Sequence, residues 1–510
     1  MQDQNHSLNV IAKGSIVIFM GIMLSKVFSY VYRIIVSRLG PSDYGIFSLA
    51  IAIFGIIGGI TMLGTETGLV KFISGYGQKK ESIKGVIHDA IRFVIPLSII
   101  LAVLLFLFSD YIAIKLFRKE ELSIFLKVLA IFVPVNALRK IFLNSLIGFK
   151  SVQYETLAKA ITENVSKVAI TFILMLFGYG LFGAVIGYAI SILASLVLSF
   201  YLLRYKVFNF MDKGIKEVYS TKEFYKYSLP LLFSIIVFIF MLWTDTLLLG
   251  YFKTPVEVGI YSAAMPTAQL LFIFPNALMV IFLPVISGMQ DFKSPEFATV
   301  FRIVTKWIFL VNIIPLALFI IYPRQILSIV FGNAYSSGDA SLVILSMGFF
   351  ISHLALSSNN VLLALGKTKL VFMNNFIGSI ANLVLNILLI PKYGIIGASV
   401  ATSFSFVLMS LLMFAESWHF TKIMPFNLNI LKSVFSIIIS LLLVNYLVGR
   451  YSISNISSII LASVLLLLLY AIFLFVTKAL EKEDYYILNN IYKKMGIKIG
   501  IIDDFFSRME

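Results

Sequence analysis

Apolar runs long enough to cross a lipid bilayer recur along almost the whole chain, and this limits the fold more than any other feature. About 20 helical residues span the hydrocarbon, and a helix satisfies its own backbone polar groups there. The runs fall at about fourteen places: 14–37, 44–70, 88–108, 123–147, 156–177, 181–203, 226–250, 260–287, 303–322, 340–365, 371–391, 395–416, 430–449 and 455–477. They are continuous rather than alternating, which excludes a β-barrel. Their recurrence to the C-terminal end excludes a single anchor. Charged residues make up 13% of the chain, about half the usual globular share. The expected fold is an all-α polytopic membrane protein.

The chain carries an internal echo. Gly45-Ile46-Phe47-Ser48 returns as Gly259-Ile260-Tyr261-Ser262, and Tyr179-Gly180-Leu181-Phe182-Gly183-Ala184 returns as Tyr393-Gly394-Ile395-Ile396-Gly397-Ala398, at one common offset. Two matches so far apart imply a duplicated six-helix unit, a pattern of transporters that bind their substrate between the repeats. The expected organisation is a first lobe at 1–205, a linker at 206–225, a second lobe at 226–418, two additional spans within 419–477 and a tail at 478–510. The tail places Tyr485, Tyr486, Ile487, Ile491, Tyr492 and Met495 at helical spacing, as in a helix lying on the membrane surface.

Basic residues set the orientation. The loop 204–226 carries Arg204, Lys206, Lys213, Lys216, Lys222 and Lys226, and the loop 71–87 carries Lys71, Lys79, Lys80 and Lys84. The alternate connections 178–180 and 451–454 carry none. Cytoplasmic loops accumulate Lys and Arg, so both termini are expected in the cytoplasm. The net charge of +16 has the same origin, and no nucleic-acid partner is expected. Met1–Asn9 lacks the features of a cleavable signal. With no cysteine, disulfides and thiolate metal sites are excluded.

A charge inside the bilayer costs at least about 2.5 kcal/mol, so those present usually face a cavity. Span 1 holds Lys26 and Arg33, seven apart and so on one face. Span 2 holds Glu66 and span 7 holds Asp245. Span 5 holds Glu155, Lys159, Glu163 and Lys167, a ladder in which each Glu is expected to pair with the Lys one turn on. Its counterpart in the second half is uncharged, with Asn374, Asn375, Ser379, Asn382 and Asn386. His353, Ser357 and Ser358 lie in span 10. Basic side chains suit phosphate or pyrophosphate, and amides and hydroxyls suit sugars. The competing structural readings are snorkelling for Lys26 and Arg33, a self-neutralised ladder for span 5, and helix packing against one basic neighbour for Glu66. Pro266, Pro275 and Pro284 in span 8 predict a bent helix.

Enzymatic motifs are lacking. Gly366-Lys367-Thr368 has Val361 where a phosphate-binding loop needs glycine. No zinc-hydrolase, serine-hydrolase or paired-carboxylate pattern occurs, and no enzyme is expected.

The stretch Arg38-Leu39-Gly40-Pro41-Ser42-Asp43-Tyr44-Gly45-Ile46-Phe47-Ser48-Leu49-Ala50, with Asp245-Thr246-Leu247-Leu248-Leu249-Gly250-Tyr251-Phe252 and Lys392-Tyr393-Gly394-Ile395-Ile396-Gly397-Ala398, resembles the polysaccharide and O-antigen flippases of the multidrug/oligosaccharidyl-lipid/polysaccharide exporter superfamily. The resemblance implies two six-helix lobes in a V around a central cavity, plus two C-terminal helices. It implies movement of a lipid-linked oligosaccharide from the inner to the outer leaflet of the cell membrane by alternating access, with no cofactor beyond a proton or sodium gradient. It implies membrane lipids as partners, and glycan polymerases or glycosyltransferases as neighbours in the pathway. Lys26, Arg33, Lys159 and Lys167 are the expected substrate-binding cations, Asn375 and Asn382 the expected sugar-binding amides, and Glu66 and Asp245 the expected ion-coupling or gating acids. A drug or organic-cation antiporter of the same superfamily is the alternative, and would need an acidic cavity. A glycan polymerase would need a large outer loop, which the chain lacks.

Overall fold

The computed structural model describes residues 23–426, 429–448, 456–481 and 484. Among these there is no strand. Helix α1 (23–37) ends in a turn at Gly40, whose φ of 105° suits glycine alone. Pro41 then opens α2 (Pro41–Ile60), where a missing amide hydrogen costs nothing. Span 2 was expected to be continuous over 44–70. It instead breaks after Ile60 and resumes as α3 (Thr65–Tyr76). Gly64 makes the break, with φ +75° and a close approach to the Ser228 carbonyl that leaves no room for a Cβ.

The chain continues as α4 (Lys80–Asp110), running on into a π-helix (Tyr111–Leu116), and then α5 (Glu121–Gly148). A short α6 (Val152–Glu155), a π-helix (Thr156–Glu163) and α7 (Asn164–Leu176) form the next pass, followed by α8 (Gly180–Leu202) and α9 (Thr221–Phe252). Span 8 is α10 (Pro255–Ala268), a 3-10 turn (Gln269–Phe272) and α11 (Ile273–Ser287). Pro266 and Pro275 have no amide hydrogen to donate, and between them the helix tightens into the 3-10 turn. Then come α12 (Pro295–Ile321), capped by the Ser294 hydroxyl on the Phe297 amide, α13 (Pro323–Phe331), a 3-10 turn (Asn333–Gly338) and α14 (Asp339–Ala364). The long element α15 (Thr368–Thr421) folds over at Gly394 (φ 56°, ψ −130°) and so comprises two helices. Helices α16 (Asn429–Val448) and α17 (Ile456–Val476) pack on each other.

Among the described residues, ten helices are long and apolar enough to cross a membrane by length and composition. The remaining expected spans fall on α1, on the element from Thr156 to Leu176, on α9, and on the second arm of α15. The expected surface helix of the tail lies outside the described residues.

The chain forms two compact units. The first comprises the chain up to Pro266 with Val330–Gly338 and Ser379–Thr402; the second comprises Thr267–Ile329, Asp339–Gly378 and the chain from Ser403. In the first, Met62 of the break and Leu69, Val86, Ile141, Phe142 and Phe224 of α3, α4, α5 and α9 build a core. The linker 208–220 docks on this core. Phe210 is buried in it, Val218 donates its amide to the Glu81 carbonyl, and Lys84 Nζ reaches the Asp212 and Ile215 carbonyls at 2.8 and 2.9 Å. The duplicated motif folds onto itself here. A Cβ on Gly45 would meet the Pro255 carbonyl and the Gly259 amide, and one on Gly259 would meet the Pro41 carbonyl and the Gly45 amide. Only glycine at both positions lets α2 and α10 cross backbone to backbone.

In the second unit, α12 packs against α14, with Phe297, Phe301, Ile308, Leu345 and Phe349 fully buried. Lys306 of α12 is also buried. It pairs with Asp484 at 2.5 Å and with Glu481 at 3.4 Å, which fixes the segment after α17 to α12.

Candidate functional site

The charged residues predicted inside the membrane collect in the first unit, where packing sorts them into paired and unpaired groups. Glu66 of α3 receives Lys140 of α5 at 2.8 Å; the same amine reaches the Gly58 carbonyl at 3.3 Å. Glu163 receives Arg139, whose guanidinium also donates to Asn136 Oδ1 at 2.7 and 3.2 Å.

The expected pairing along the span 5 ladder is corrected. Only Glu155 and Lys159 pair, at 3.5 Å, with Lys159 exposed. Residues Thr156–Glu163 are a π-helix, in which each turn takes more residues than in an α-helix. The surviving pair lies across this stretch, whereas Glu163 and Lys167 stand four apart at the start of the α-helix Asn164–Leu176, where that spacing stacks; they part because Glu163 is held by Arg139 of α5 and Lys167 by Asn164. Lys167 is buried and donates to Asn164 Oδ1 at 2.9 Å, with its ammonium 5.1 Å from the Tyr32 ring centre and 5.9 Å from that of Tyr188. Among the described residues no carboxylate forms an ion pair with Lys167.

Arg33 is in the same condition. It lies on α1, half-buried, and its Nη1 donates to the Tyr44 hydroxyl at 3.4 Å. No carboxylate among the described residues pairs with it. Lys26 lies two turns earlier on the same face, about 10 Å along the axis, and is exposed.

The second centre surrounds Asp245 of α9, which is 3% exposed. Oδ1 accepts from Asn386 at 2.6 Å and from Asn382 at 3.4 Å; Oδ2 accepts from Thr402 at 2.6 Å and from the Tyr261 hydroxyl. Asn386 also donates to Asn382 Oδ1 at 3.1 Å, and Asn382 to the Thr402 hydroxyl at 3.0 Å. A buried carboxylate without a cation persists only when hydrogen bonds replace its water. Here α10 and both arms of α15 supply them. Asn386 Oδ1 is buried without a partner among the described residues. Two amide N–H groups and two hydroxyls thus converge as donors on one buried carboxylate, a centre that could take up a proton or a cation in exchange for one of them.

Asn382, read from the sequence as a sugar-binding amide, is committed to this shell. Asn375 belongs to the second unit and is half-buried. The sequence reading missed Arg139, Lys140, Tyr44, Tyr261 and Thr402. The adjacent basic pair Arg139-Lys140 inside span 4 was a readable signal. The other three are ordinary residues whose importance comes from what they touch.

The model of the polysaccharide biosynthesis protein family matches residues 11–290. A putative O-antigen transporter of Shigella flexneri is 27% identical over 75% of this chain and 91% of its own length. A probable low-salt glycan biosynthesis flippase of Haloferax volcanii is 27% identical over 74% of this chain and 76% of its own. Among solved structures, the lipid II flippase MurJ in an inward closed conformation superimposes with a TM-score of 0.72 at 16% identity, covering 90% of this chain and 98% of its own. Matched by the family model over more than half its length, the chain belongs to the polysaccharide biosynthesis protein family.

Proposed function

We propose that this protein is a flippase that carries a lipid-linked oligosaccharide from the inner to the outer leaflet by alternating access. The observation that carries the reading is the sorting of charges. Glu66 and Glu163 are neutralised by Lys140 and Arg139, while Arg33 and Lys167 have no ion-pair partner among the described residues. The surplus is positive, as a lipid pyrophosphate requires, and charge-assisted bonds to phosphate are the strong ones. Lys26 extends the basic face along α1. Relatives named as an O-antigen transporter and a glycan biosynthesis flippase support the same substrate class.

An organic-cation antiporter needs a free acid facing its ligand. Glu66 is engaged by Lys140 and Asp245 by four donors, which disfavours that reading. The buried carboxylate of Asp245, held by donors that a cation or proton could replace, supports coupling to a proton or sodium gradient, and the Glu66–Lys140 pair supports a gating role. Asn375 is retained as a candidate sugar contact and Lys159 as a peripheral cation. The loop charges support cytoplasmic termini, in a cell membrane shared with a glycan polymerase or glycosyltransferases.

The test is translocation of a lipid-pyrophosphate-linked oligosaccharide in vesicles holding the purified protein. Losing a hydrogen bond to a charged group costs about 1.5–3 kcal/mol, so Arg33→Gln slows movement by roughly tenfold to a hundredfold. Asp245→Asn removes dependence on the ion gradient. Export of organic cations with no movement of any lipid-linked glycan would refute the proposal.

A further inference from the structure

We infer that Tyr44 couples the basic centre at Arg33 to the carboxylate centre at Asp245, so that a cation at one changes the affinity for pyrophosphate at the other. The inference rests on the flippase reading above. It adds a residue that touches neither proposed ligand.

The geometry is a short relay. Tyr44 is fully buried. Its hydroxyl accepts from Arg33 Nη1 at 3.4 Å and donates to the Ser262 carbonyl at 3.0 Å. Tyr261, the preceding residue on α10, donates its hydroxyl to Asp245 Oδ2. Both centres therefore act on the same turn of α10. Beside it the Gly45–Gly259 crossing packs the backbones of α2 and α10 together, a fixed point about which that turn can tilt. A third contact carries the link to the end of α1. The Tyr44 ring meets Tyr335 edge-on at 6.2 Å, and the Tyr335 hydroxyl donates to the Ser37 carbonyl at 2.8 Å.

The direction follows from which bonds must break. A pyrophosphate held by Arg33 takes the guanidinium away from Tyr44. A cation held by Asp245 competes with the Tyr261 hydroxyl hydrogen and frees residues 261 and 262 of α10. With its acceptor at Ser262 loosened, Tyr44 releases Arg33 more readily, so the cation tightens pyrophosphate binding. By linkage, pyrophosphate tightens cation binding by the same factor. The groups facing Asp245 are Tyr261 from α10 and Asn382, Asn386 and Thr402 from α15. No charged side chain among the described residues pairs with it, so its occupant is set by the bulk cation or proton.

The test uses the full chain in nanodiscs, with geranylgeranyl pyrophosphate as the probe. Its affinity is measured in sodium chloride and in choline chloride, and in choline at two pH values to separate sodium from protons. The wild type gains about tenfold in affinity with the coupling cation, inside the roughly 5–150-fold range of allosteric coupling. Tyr44→Phe keeps the ring and still binds the probe, but its gain falls below twofold. Tyr261→Phe does the same from the other end, and the double variant loses no more than either alone. If Tyr44→Phe responds to the cation as the wild type does, the relay is wrong and the flippase reading stands. A wild type without any cation response also overturns the relay. If probe binding is indifferent to Arg33→Gln, the basic centre itself is misassigned and the relay falls with it.

Discussion

Removing Asp484 should destabilise the second unit far more than removing it together with Lys306. The two side chains are 0% and 2% exposed, so neither charge has water to fall back on. Asp484 also accepts from Trp307 Nε1 at 3.0 Å and from the Glu481 amide at 2.8 Å. Asp484→Ala leaves the Lys306 ammonium with Glu481 alone, at 3.4 Å. Stranding one member of a buried pair costs about 3–5 kcal/mol, whereas replacing both by apolar groups is often close to neutral. Lys306→Met costs less than Asp484→Ala, because Asp484 keeps two donors. The double variant Lys306→Met with Asp484→Ala is therefore more stable than Asp484→Ala alone, with a coupling energy near the upper end of the usual 0.5–3 kcal/mol. Thermal unfolding in detergent, followed by tryptophan fluorescence, measures this, since Trp307 sits on the pair. Deleting the chain from Lys478 onward should cost more than Asp484→Ala, since it takes Glu481 from Lys306 as well. Additive effects of the two substitutions would refute the argument, since they would mean that each charge is solvated independently.

Three other expectations follow from local geometry. Gly45→Ala sets a methyl group against the Pro255 carbonyl, which has no flexible atom to move aside; overpacking costs about 1–3 kcal/mol, so melting temperature and translocation both fall. A wild-type-like Gly45→Ala would show that the crossing is loose. Exchanging the Glu66–Lys140 pair, as Glu66→Lys with Lys140→Glu, should restore more translocation than either single reversal permits; failure to do so would mean that the pair has a role beyond mutual neutralisation. The Tyr219 hydroxyl and then the Lys84 amine hold the Glu217 carboxyl down to about 2, from 4.5. A depressed carboxyl contributes stability above its unfolded value and loses it as the pH falls through the folded one. The linker clamp should therefore weaken between about pH 4.5 and 2 and stay constant above, and Glu217→Gln should flatten that dependence in an acid-unfolding series.

What the sequence made legible here is whatever a residue costs by itself. A run such as 181–203 has to be a helix in lipid, because each unpaired amide there costs several kcal/mol. Arg33, Glu66, Lys167 and Asp245 announce themselves because an ion in a span needs a reason. What stayed hidden is how those costs are met, since pairing depends on two positions and on the path between them. Asp245 and Asn386 lie far apart in sequence, and no periodicity links them. Within span 5 the periodicity was half a guide: the repeat of four held for Glu155 and Lys159, across the π-helix, and failed for Glu163 and Lys167 in the α-helix after it, because Arg139 of α5 takes Glu163. That failure has a functional consequence. Had the ladder closed on itself, Lys167 would be neutral in sum and the basic surplus would rest on Arg33 and Lys26. Because it opens, Glu163 pairs with α5, and Lys167 is left with Asn164 as its hydrogen-bond acceptor and two tyrosine rings beside it. Arg139 of α5 is thus the partner by which a sequence able to neutralise itself leaves Lys167 without an ion pair among the described residues, the basic surplus on which the proposed phosphate contact rests.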